Sequence, residues 1–126
     1  MKHPALIPLA ALTLSGCVSH PDRNNGTDSA RFGQTANVDG LRVTPLRLLE
    51  DSRCPRGVQC VWAGQVRISV SVRDRSGVDT SELTLGQPVN DARRELELIE
   101  VSPERLADRQ IRLPDYRFTF RTISRR

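Results

Sequence analysis

The sequence predicts an all-β protein, either a small antiparallel β-sandwich or a partly open barrel, with one intradomain disulfide. Five or more short segments alternate apolar and polar residues, turn residues separate them, and no long helical pattern lies between them. Two cysteines in this region, Cys54 and Cys60, would close a ring of seven residues.

The clearest strand pattern begins at the second of these cysteines. Its apolar positions are Cys60, Trp62, Gly64, Val66, Ile68, Val70 and Val72. Polar residues from Gln65 to Arg73 alternate with them, which predicts one packed face and one solvated face. Since Trp62 lies on the apolar face two residues from Cys60, we expect it in the core against the disulfide rather than exposed as a ligand platform.

Other strands are predicted on either side of this one. The segment from Leu41 alternates until Pro45 shifts its phase, which indicates an edge strand or a bulge. After the strand, residues 74–77 (Asp-Arg-Ser-Gly) predict a turn, and the chain returns as a strand around Leu83 and Leu85.

The last third of the chain contains two further strand patterns. Residues 94–98 alternate and then slip in phase at Ile99. Ser102 followed by Pro103 predicts a single helical turn, with Ser102 as the N-cap. The final strand alternates the aromatic residues Tyr116, Phe118 and Phe120 with polar ones, so we expect these rings in the core.

The amino terminus has the order of a secretory signal: a short basic start, an apolar run over residues 5–14, and small residues before Cys17. Ten apolar residues are too few to span a bilayer. Leu14-Ser15-Gly16-Cys17 resembles the lipobox of bacterial lipoproteins. The resemblance implies cleavage before Cys17 and acylation of its sulfur, and Val18 in place of Asp favours the outer membrane, facing the periplasm.

These features divide the chain into three parts. Residues 1–16 are predicted to be a lipoprotein signal peptide, residues 17–31 a lipidated cysteine with a polar, flexible tether, and residues 32–126 a single β domain. Export to an oxidising compartment makes a disulfide the expected state of Cys54 and Cys60. A ring of this size contributes about 2 to 2.5 kcal/mol on the chain-entropy model. A redox or metal role is disfavoured, because the spacing is not thioredoxin-like and no second pair of zinc ligands is present.

A longer motif surrounds the disulfide. Residues 51–55 (DSRCP), Val58 and residues 60–64 (CVWAG) resemble the signature DSRCPxxVxCVWAG of a family of small bacterial lipoproteins and secreted proteins. Gly33-Gln34, Gly40-Leu41 and Pro114-Asp115-Tyr116 extend the likeness over nearly the whole domain. The resemblance implies a common all-β fold built around the disulfide loop and no activity. It marks Asp51, Arg53 and Trp62 as candidate binding residues.

The composition argues against an enzyme. Residues 32–126 contain no histidine and no lysine, which excludes Ser-His and Cys-His nucleophiles and histidine-based metal sites from this region. No glycine-rich phosphate loop is present and the one methionine is Met1, so no cofactor and no metal site is predicted. Asp74 and Asp79 flank a turn and are interpreted as part of a hairpin rather than as calcium ligands. An envelope enzyme that uses a carboxylate pair is the weaker alternative.

The function expected by elimination is that of a lipid-anchored binding or scaffolding module of the cell envelope. Its predicted partners are the membrane, through the N-terminal lipid, and an envelope protein or anionic envelope polymer; nucleic acid is not expected. We hypothesise that the Asp51–Cys60 loop is the recognition element. Four outward-facing arginines either form a basic patch, if their strands pair suitably, or are ordinary solvated residues: Arg67, Arg73, Arg117 and Arg121.

Overall fold

The computed structural model describes Gly16, residues 26–91 and residues 94–124. Its strands are β1 Thr27–Ala30, β2 Ala36–Val38, β3 Leu41–Asp51, β4 Val66–Asp74, β5 Gly77–Thr84, β6 Val89–Asp91, β7 Arg94–Ser102 and β8 Arg117–Ser124, with a 3₁₀ turn at Leu113–Asp115. Within these described ranges, no helix is long and apolar enough to cross a membrane. Residues 1–15 of the signal segment and the predicted lipidation site Cys17 lie outside the described residues.

The strands form two antiparallel sheets of four. One sheet has the order β2-β3-β4-β5, and the other has the order β1-β8-β7-β6. The sheets pack together without closing into a barrel, so the predicted β-sandwich is confirmed. The chain runs through β2 to β5 as a meander, crosses to the second sheet, and returns through β6 to β8, where β8 also pairs with the N-terminal strand β1.

The core lies between the sheets and is built from the inward positions of each alternating strand. Val66, Ile68 and Val70 of β4 are fully buried, as are Phe118 and Phe120 of β8. Fully burying a side chain of this kind stabilises the fold by about 1.5–3 kcal/mol. The alternating pattern therefore predicted the packed face of β8 correctly, and that of β4 correctly from Val66 onward.

Both predicted phase shifts are β-bulges. The pairing of β3 with β4 shifts register between Pro45 and Arg47, and the pairing of β7 with β8 shifts between Leu98 and Glu100. Pro45 therefore marks a bulge, and it lies beyond Leu41–Val43, the part of β3 that pairs with β2. After the second bulge Val101 is buried, whereas Leu46 and Leu49 near the first are exposed.

One of the two predicted turns is present. Asp74 and Gly77 pair across the β4–β5 hairpin, and the Asp74 carboxylate accepts hydrogen bonds from the backbone N–H groups of Ser76 and Gly77 at 2.7 and 3.1 Å. The helical turn predicted from Ser102 was wrong. Ser102 pairs with Arg117 as the last residue of β7, so its backbone belongs to the sheet and does not open a helix.

The predicted tether was too long, because β1 lies within it. The sequence placed residues 17–31 outside the domain, but Thr27–Ala30 pairs with β8 along its whole length. Ala30 is 1% exposed and is opposite Phe118. The strand escaped detection because it lies at the edge of the sheet and carries a single small apolar residue among polar ones.

The position of β1 can be tested with two neighbouring substitutions. Ala30→Asp should lower the free energy of unfolding by about 3 kcal/mol or more, because it buries an unpaired charge against Phe118. Ser29→Asp is the matched control, since Ser29 is only half-buried and its hydroxyl accepts a hydrogen bond from Arg117. Urea denaturation measures both. Equal and small effects would show that this segment is not part of the sandwich.

Candidate functional site

The candidate site is the disulfide loop, defined as residues 52–65, which connects β3 to β4. Its two ends are joined at a neck by hydrogen bonds between Ser52 and Gln65. The Ser52 N–H donates to the Gln65 carbonyl at 2.9 Å, and the Gln65 N–H donates to the Ser52 hydroxyl oxygen at 3.0 Å. The loop therefore leaves and re-enters the same sheet at adjacent points.

Gly64 sets the point at which the loop ends. Its φ of +70° is favourable only for glycine, and a Cβ at this position would lie 1.8 Å from the Ser52 carbonyl oxygen. The strand predicted to begin at Cys60 was wrong for this reason. The chain turns at Gly64 and enters β4 only at Val66, so the apparent alternation before Gly64 is not that of a strand.

The predicted disulfide is present within the loop. Cys54 and Cys60 are bonded, with their Cα atoms 5.9 Å apart, within the usual range for a disulfide. Cys54 is partly buried and Cys60 is exposed, so the bond ties the outer half of the loop to its anchored half.

A hydrogen-bonded triad anchors the loop at its first residues. The Arg53 guanidinium donates to both carboxylate oxygens of Asp51, from Nε and Nη2, each at 2.9 Å. The Tyr116 hydroxyl donates to the same carboxylate at 2.7 Å from the other sheet. The side chains of Asp51 and Arg53 are 6% and 17% exposed, so this bidentate ion pair is largely withdrawn from water.

The environment of the triad shifts the ionisation of two of its members. Partial burial raises the pKa of Asp51, but hydrogen bonds from Arg53 and Tyr116 and the Arg53 charge outweigh burial and hold the pKa below its ordinary value of 3.8. Burial, the hydrogen bond to Asp51 and the Asp51 charge raise the pKa of Tyr116 to about 12. Asp51 is thus held as a carboxylate and Tyr116 as a neutral donor.

Further hydrogen bonds connect the loop to the opposite sheet and its connections. Arg53 Nη1 donates to the Val101 carbonyl of β7 at 3.0 Å. Arg105 Nη1 donates to the Arg53 carbonyl at 2.7 Å, and the Arg56 N–H donates to the Arg105 carbonyl at 2.8 Å. The first half of the disulfide loop is therefore fixed to both sheets.

The outer half of the loop exposes two large apolar side chains. Val61 is 91% exposed and Trp62 is 83% exposed. The prediction that Trp62 belongs to the core was wrong. It rested on continuing the β4 alternation back through Gly64, where the backbone turns away from the sheet.

The structure thus separates the three predicted motif residues into two groups. Asp51 and Arg53 are bonded to each other at the base of the loop, while Trp62 lies apart from them at its exposed side. Sequence reasoning missed the role of Tyr116 as a partner of Asp51. The available signal was that Tyr116 and Asp51 belong to the same extended motif. The alternating pattern around Tyr116 predicted only a buried ring and gave no indication of this hydrogen bond.

The four outward-facing arginines do not form one patch. Arg67 and Arg73 belong to β4, and Arg117 and Arg121 belong to β8, in the other sheet. Arg121 pairs with Glu97, while Arg67 pairs with two glutamates on flanking strands, which the strand order brings to either side of it.

The structure also contains a cavity lined in part by carboxylates. A space of about 140 Å³ near the β4–β5 hairpin is lined by Asp74 and Asp79, among others. The Asp74 carboxylate is held by the hairpin, and hydrogen bonds from the Ser76 hydroxyl and N–H lower its pKa. Across residues 26–91 and 94–124, no three His, Cys, Asp or Glu side chains are grouped so that they could hold a metal ion.

No family model, curated protein or solved structure matches this chain, and its function is therefore inferred from its own residues.

The effect of Asp51 on the pKa of Tyr116 can be measured directly by titration, because Tyr116 is the only tyrosine in the sequence. In the native protein its phenol should titrate with a pKa of about 12, and in denaturant near 10. Asp51→Asn should bring the native pKa down toward 10 but not to it, because burial remains. The folded-state pKa is raised, so the stabilisation from this group is complete below pH 10 and is lost as the pH rises toward 12.

Absorbance of the phenolate measures this titration, with circular dichroism at each pH to verify that the protein is folded. A phenol that titrates near 10 in the folded wild type would show that the Asp51–Tyr116 hydrogen bond is absent. An unchanged pKa in Asp51→Asn would show that the carboxylate does not act on it.

The exposure of Trp62 predicts a small effect of its removal on stability. Trp62→Ala should change the free energy of unfolding by less than about 0.5 kcal/mol, as surface substitutions do. Phe118→Ala, which removes a fully buried ring, should cost about 3–5 kcal/mol. Urea denaturation compares the two. Because Trp62 is the only tryptophan, its fluorescence in the native protein should also be that of a solvated indole, open to quenching by acrylamide. A core-like loss on Trp62→Ala would make the loop architectural.

Proposed function

We propose that this protein is a lipid-anchored, non-enzymatic binding module of the bacterial cell envelope, and that the disulfide loop is the surface with which it binds another envelope protein. The observation that carries the proposal is the exposure of Val61 and Trp62 on a loop that contains a disulfide and is fixed at its base by a partly buried ion pair.

One of the two exposed side chains, that of Trp62, is of the kind that dominates protein interfaces. Tryptophan is enriched among the few residues that supply most of the binding energy, and it presents a large apolar area with only two rotatable side-chain bonds. An exposed Val-Trp pair does nothing for the stability of the free domain. The favourable free energy of removing its apolar area from water is gained only when a partner covers it.

The construction of the loop also favours binding. Association is weakened by the entropy lost when mobile segments become ordered, and a loop that is already ordered avoids much of that loss. Here the Asp51–Arg53 pair and the backbone hydrogen bonds at the neck restrict the two ends of the loop, and the Cys54–Cys60 bond closes the segment that leads directly to Val61 and Trp62. Such a loop, held on a rigid sandwich, is the usual arrangement of a recognition surface.

The lipid anchor rests on the sequence. Leu14-Ser15-Gly16-Cys17 after a short apolar run supports acylation of Cys17, and Val18 supports the outer membrane, with the domain in the periplasm. The polar residues between Cys17 and β1 would place the sandwich within about 30 Å of the bilayer. A protein partner in the same membrane or the periplasm would then be within reach.

The enzymatic alternative has one observation in its favour, the cavity with Asp74 and Asp79. Acid–base work by two carboxylates requires that one of them has a raised pKa and serves as the acid. The pKa of Asp74 is lowered, and its oxygen accepts three hydrogen bonds from the hairpin. Asp74 therefore stabilises the hairpin turn and is poorly suited to act as a catalytic acid. Binding remains the proposed function.

The proposal is tested by photo-crosslinking in the bacterium that makes the protein. A photoreactive phenylalanine analogue replaces Val61 in the full chain, and the matched control carries it at Ile123, which is 42% exposed on β8 and pairs with Glu95 in the other sheet. We expect a crosslinked protein adduct of defined mass from position 61, its loss when Trp62→Ala is added, and its absence from position 123. Identical adducts from both positions, or none from position 61, would refute the loop as a binding surface.

The anchor is tested on the same material. Mass spectrometry of the native product should find an N-terminal lipidated Cys17, and Cys17→Ser should move the protein out of the membrane fraction. An intact Met1 or an unmodified Cys17 would remove the anchor from the proposal and leave the loop result to be judged separately.

A further inference from the structure

A second surface lies on the outer face of the β2–β5 sheet, away from the disulfide loop. It is a shallow depression of about 450 Å³. It is lined by Thr35, Asn37, Arg42, Thr44, Ser71 and Arg73. Every one of these side chains carries a hydrogen-bond donor and none is acidic, so the depression suits an anionic, strongly hydrogen-bonding group.

Two arginines are directly opposed in this depression. Arg42 of β3 and Arg73 of β4 are cross-strand partners on the same face of the sheet. Like charges in this relation destabilise a sheet, which makes the pairing costly unless something compensates the charges. Within the part of the chain that the structure describes, neither arginine forms an ion pair.

The nearby acidic residues are engaged elsewhere. The two carboxylate oxygens of Asp28 accept one hydrogen bond each, from the backbone N–H groups of Ser29 and Asn37, both at 2.8 Å. Asp39 pairs with Arg94, and Asp74, which follows Arg73, is held by the β4–β5 turn. Their carboxylates are thus not positioned on the two opposed guanidinium groups.

The other end of the same face shows that the chain can neutralise an arginine. Arg67, six residues before Arg73 on β4, lies between Glu50 of β3 and Glu82 of β5, with nitrogen–oxygen distances of 3.5 and 2.9 Å. The face therefore has one compensated end and one end where two positive charges face each other.

Hydroxyl groups complete the arrangement. Thr44 and Ser71 are cross-strand partners two residues along from the arginine pair, and therefore on the same face. The Thr44 hydroxyl is within 2.7 Å of the Thr35 hydroxyl. Two guanidinium forks beside hydroxyl donors match the several acceptor oxygens and the negative charge of a phosphate group.

We infer that the Arg42–Arg73 face is a binding site for a phosphate group, with Thr44 and Ser71 as additional donors. The group belongs either to a soluble phosphorylated molecule or to the headgroup of an anionic lipid, since both present the same oxygens. The site is separate from the disulfide loop and does not depend on the function proposed for that loop.

The site is tested on the predicted mature chain, residues 17–126, carrying Cys17→Ser, so that neither the apolar signal segment nor an attached lipid drives membrane binding. Inorganic phosphate is titrated at constant ionic strength and followed by NMR. We expect saturable shifts of the backbone amides of Thr44 and Ser71 and of the Arg42 and Arg73 side chains. Arg42→Gln and Arg73→Gln should each weaken phosphate binding by about tenfold, the loss expected when a charged hydrogen bond is removed.

The matched control is Arg47→Gln. Arg47 is exposed on the same strand and is paired with Ser69, beyond the depression. It should leave phosphate binding within about twofold, because it lowers the net charge of the same face without touching the site. Removing one of two opposed charges should also leave the melting temperature of Arg42→Gln and Arg73→Gln unchanged or raised.

A second arm identifies the source of the phosphate. Sedimentation with vesicles of phosphatidylglycerol and phosphatidylcholine, against phosphatidylcholine alone, tests the lipid headgroup. Binding to the anionic vesicles that is lost in Arg42→Gln and Arg73→Gln assigns the site to a lipid. Saturable phosphate shifts without such vesicle binding assign it to a soluble ligand. Shifts that never saturate, or an equal loss in Arg47→Gln, would reduce the effect to the general positive charge of the face and overturn the site.

Discussion

The Asp51 carboxylate joins the two sheets and the disulfide loop at one point. It lies at the end of β3 and accepts a bidentate pair of hydrogen bonds from Arg53, two residues further on. It accepts one more from Tyr116, the residue directly before β8 of the other sheet. Arg53 also bonds the backbone of β7. Removing any one partner would leave a largely buried charge or hydroxyl without its match, which is costly in a weakly solvated environment.

The loop beyond this point depends on the triad together with the two hydrogen bonds that join its first half to Arg105. The described loop residues after Pro55 are exposed, so burial contributes little to their order, and the disulfide restrains only the segment between its two cysteines. The Asp51–Arg53 pair fixes the direction in which the chain leaves β3, while Gly64 and the Ser52–Gln65 hydrogen bonds fix its return. Val61 and Trp62 are consequently exposed because the backbone turns away from the sheet, and not because the core fails to pack against them. For this reason we assign them to recognition.

Much of the sandwich could be predicted from the sequence because alternation reports burial directly. Val66 to Val72 and Phe118 to Phe120 are inward-facing as predicted, and the phase slips at Pro45 and Ile99 are bulges. Trp62 could not be placed in this way, since its exposure follows from the positive φ of Gly64, and a glycine within an alternating pattern does not reveal which backbone conformation it adopts.

The features missed altogether depend on which strands are neighbours. The Arg42–Arg73 pair exists only in the particular register of β3 with β4, and the bond between Tyr116 and Asp51 exists only because β8 and β3 lie in facing sheets. The pattern of polar and apolar residues along a single strand predicts neither of these two contacts. Similarly, Ala30 is buried because β1 pairs with the edge of β8. The polar composition of these four residues does not reveal that pairing.

The most direct test of the central claim is the mobility of the loop backbone with and without the ion pair. Nuclear relaxation of the Val61 and Trp62 amides in the wild-type protein should give order parameters near those of the strands, about 0.85. In Arg53→Gln they should fall below about 0.6, while the amides of β4 keep their values. A loop that is already mobile in the wild type, or equally rigid in Arg53→Gln, would contradict the role of the Asp51–Arg53 pair in holding the loop for binding.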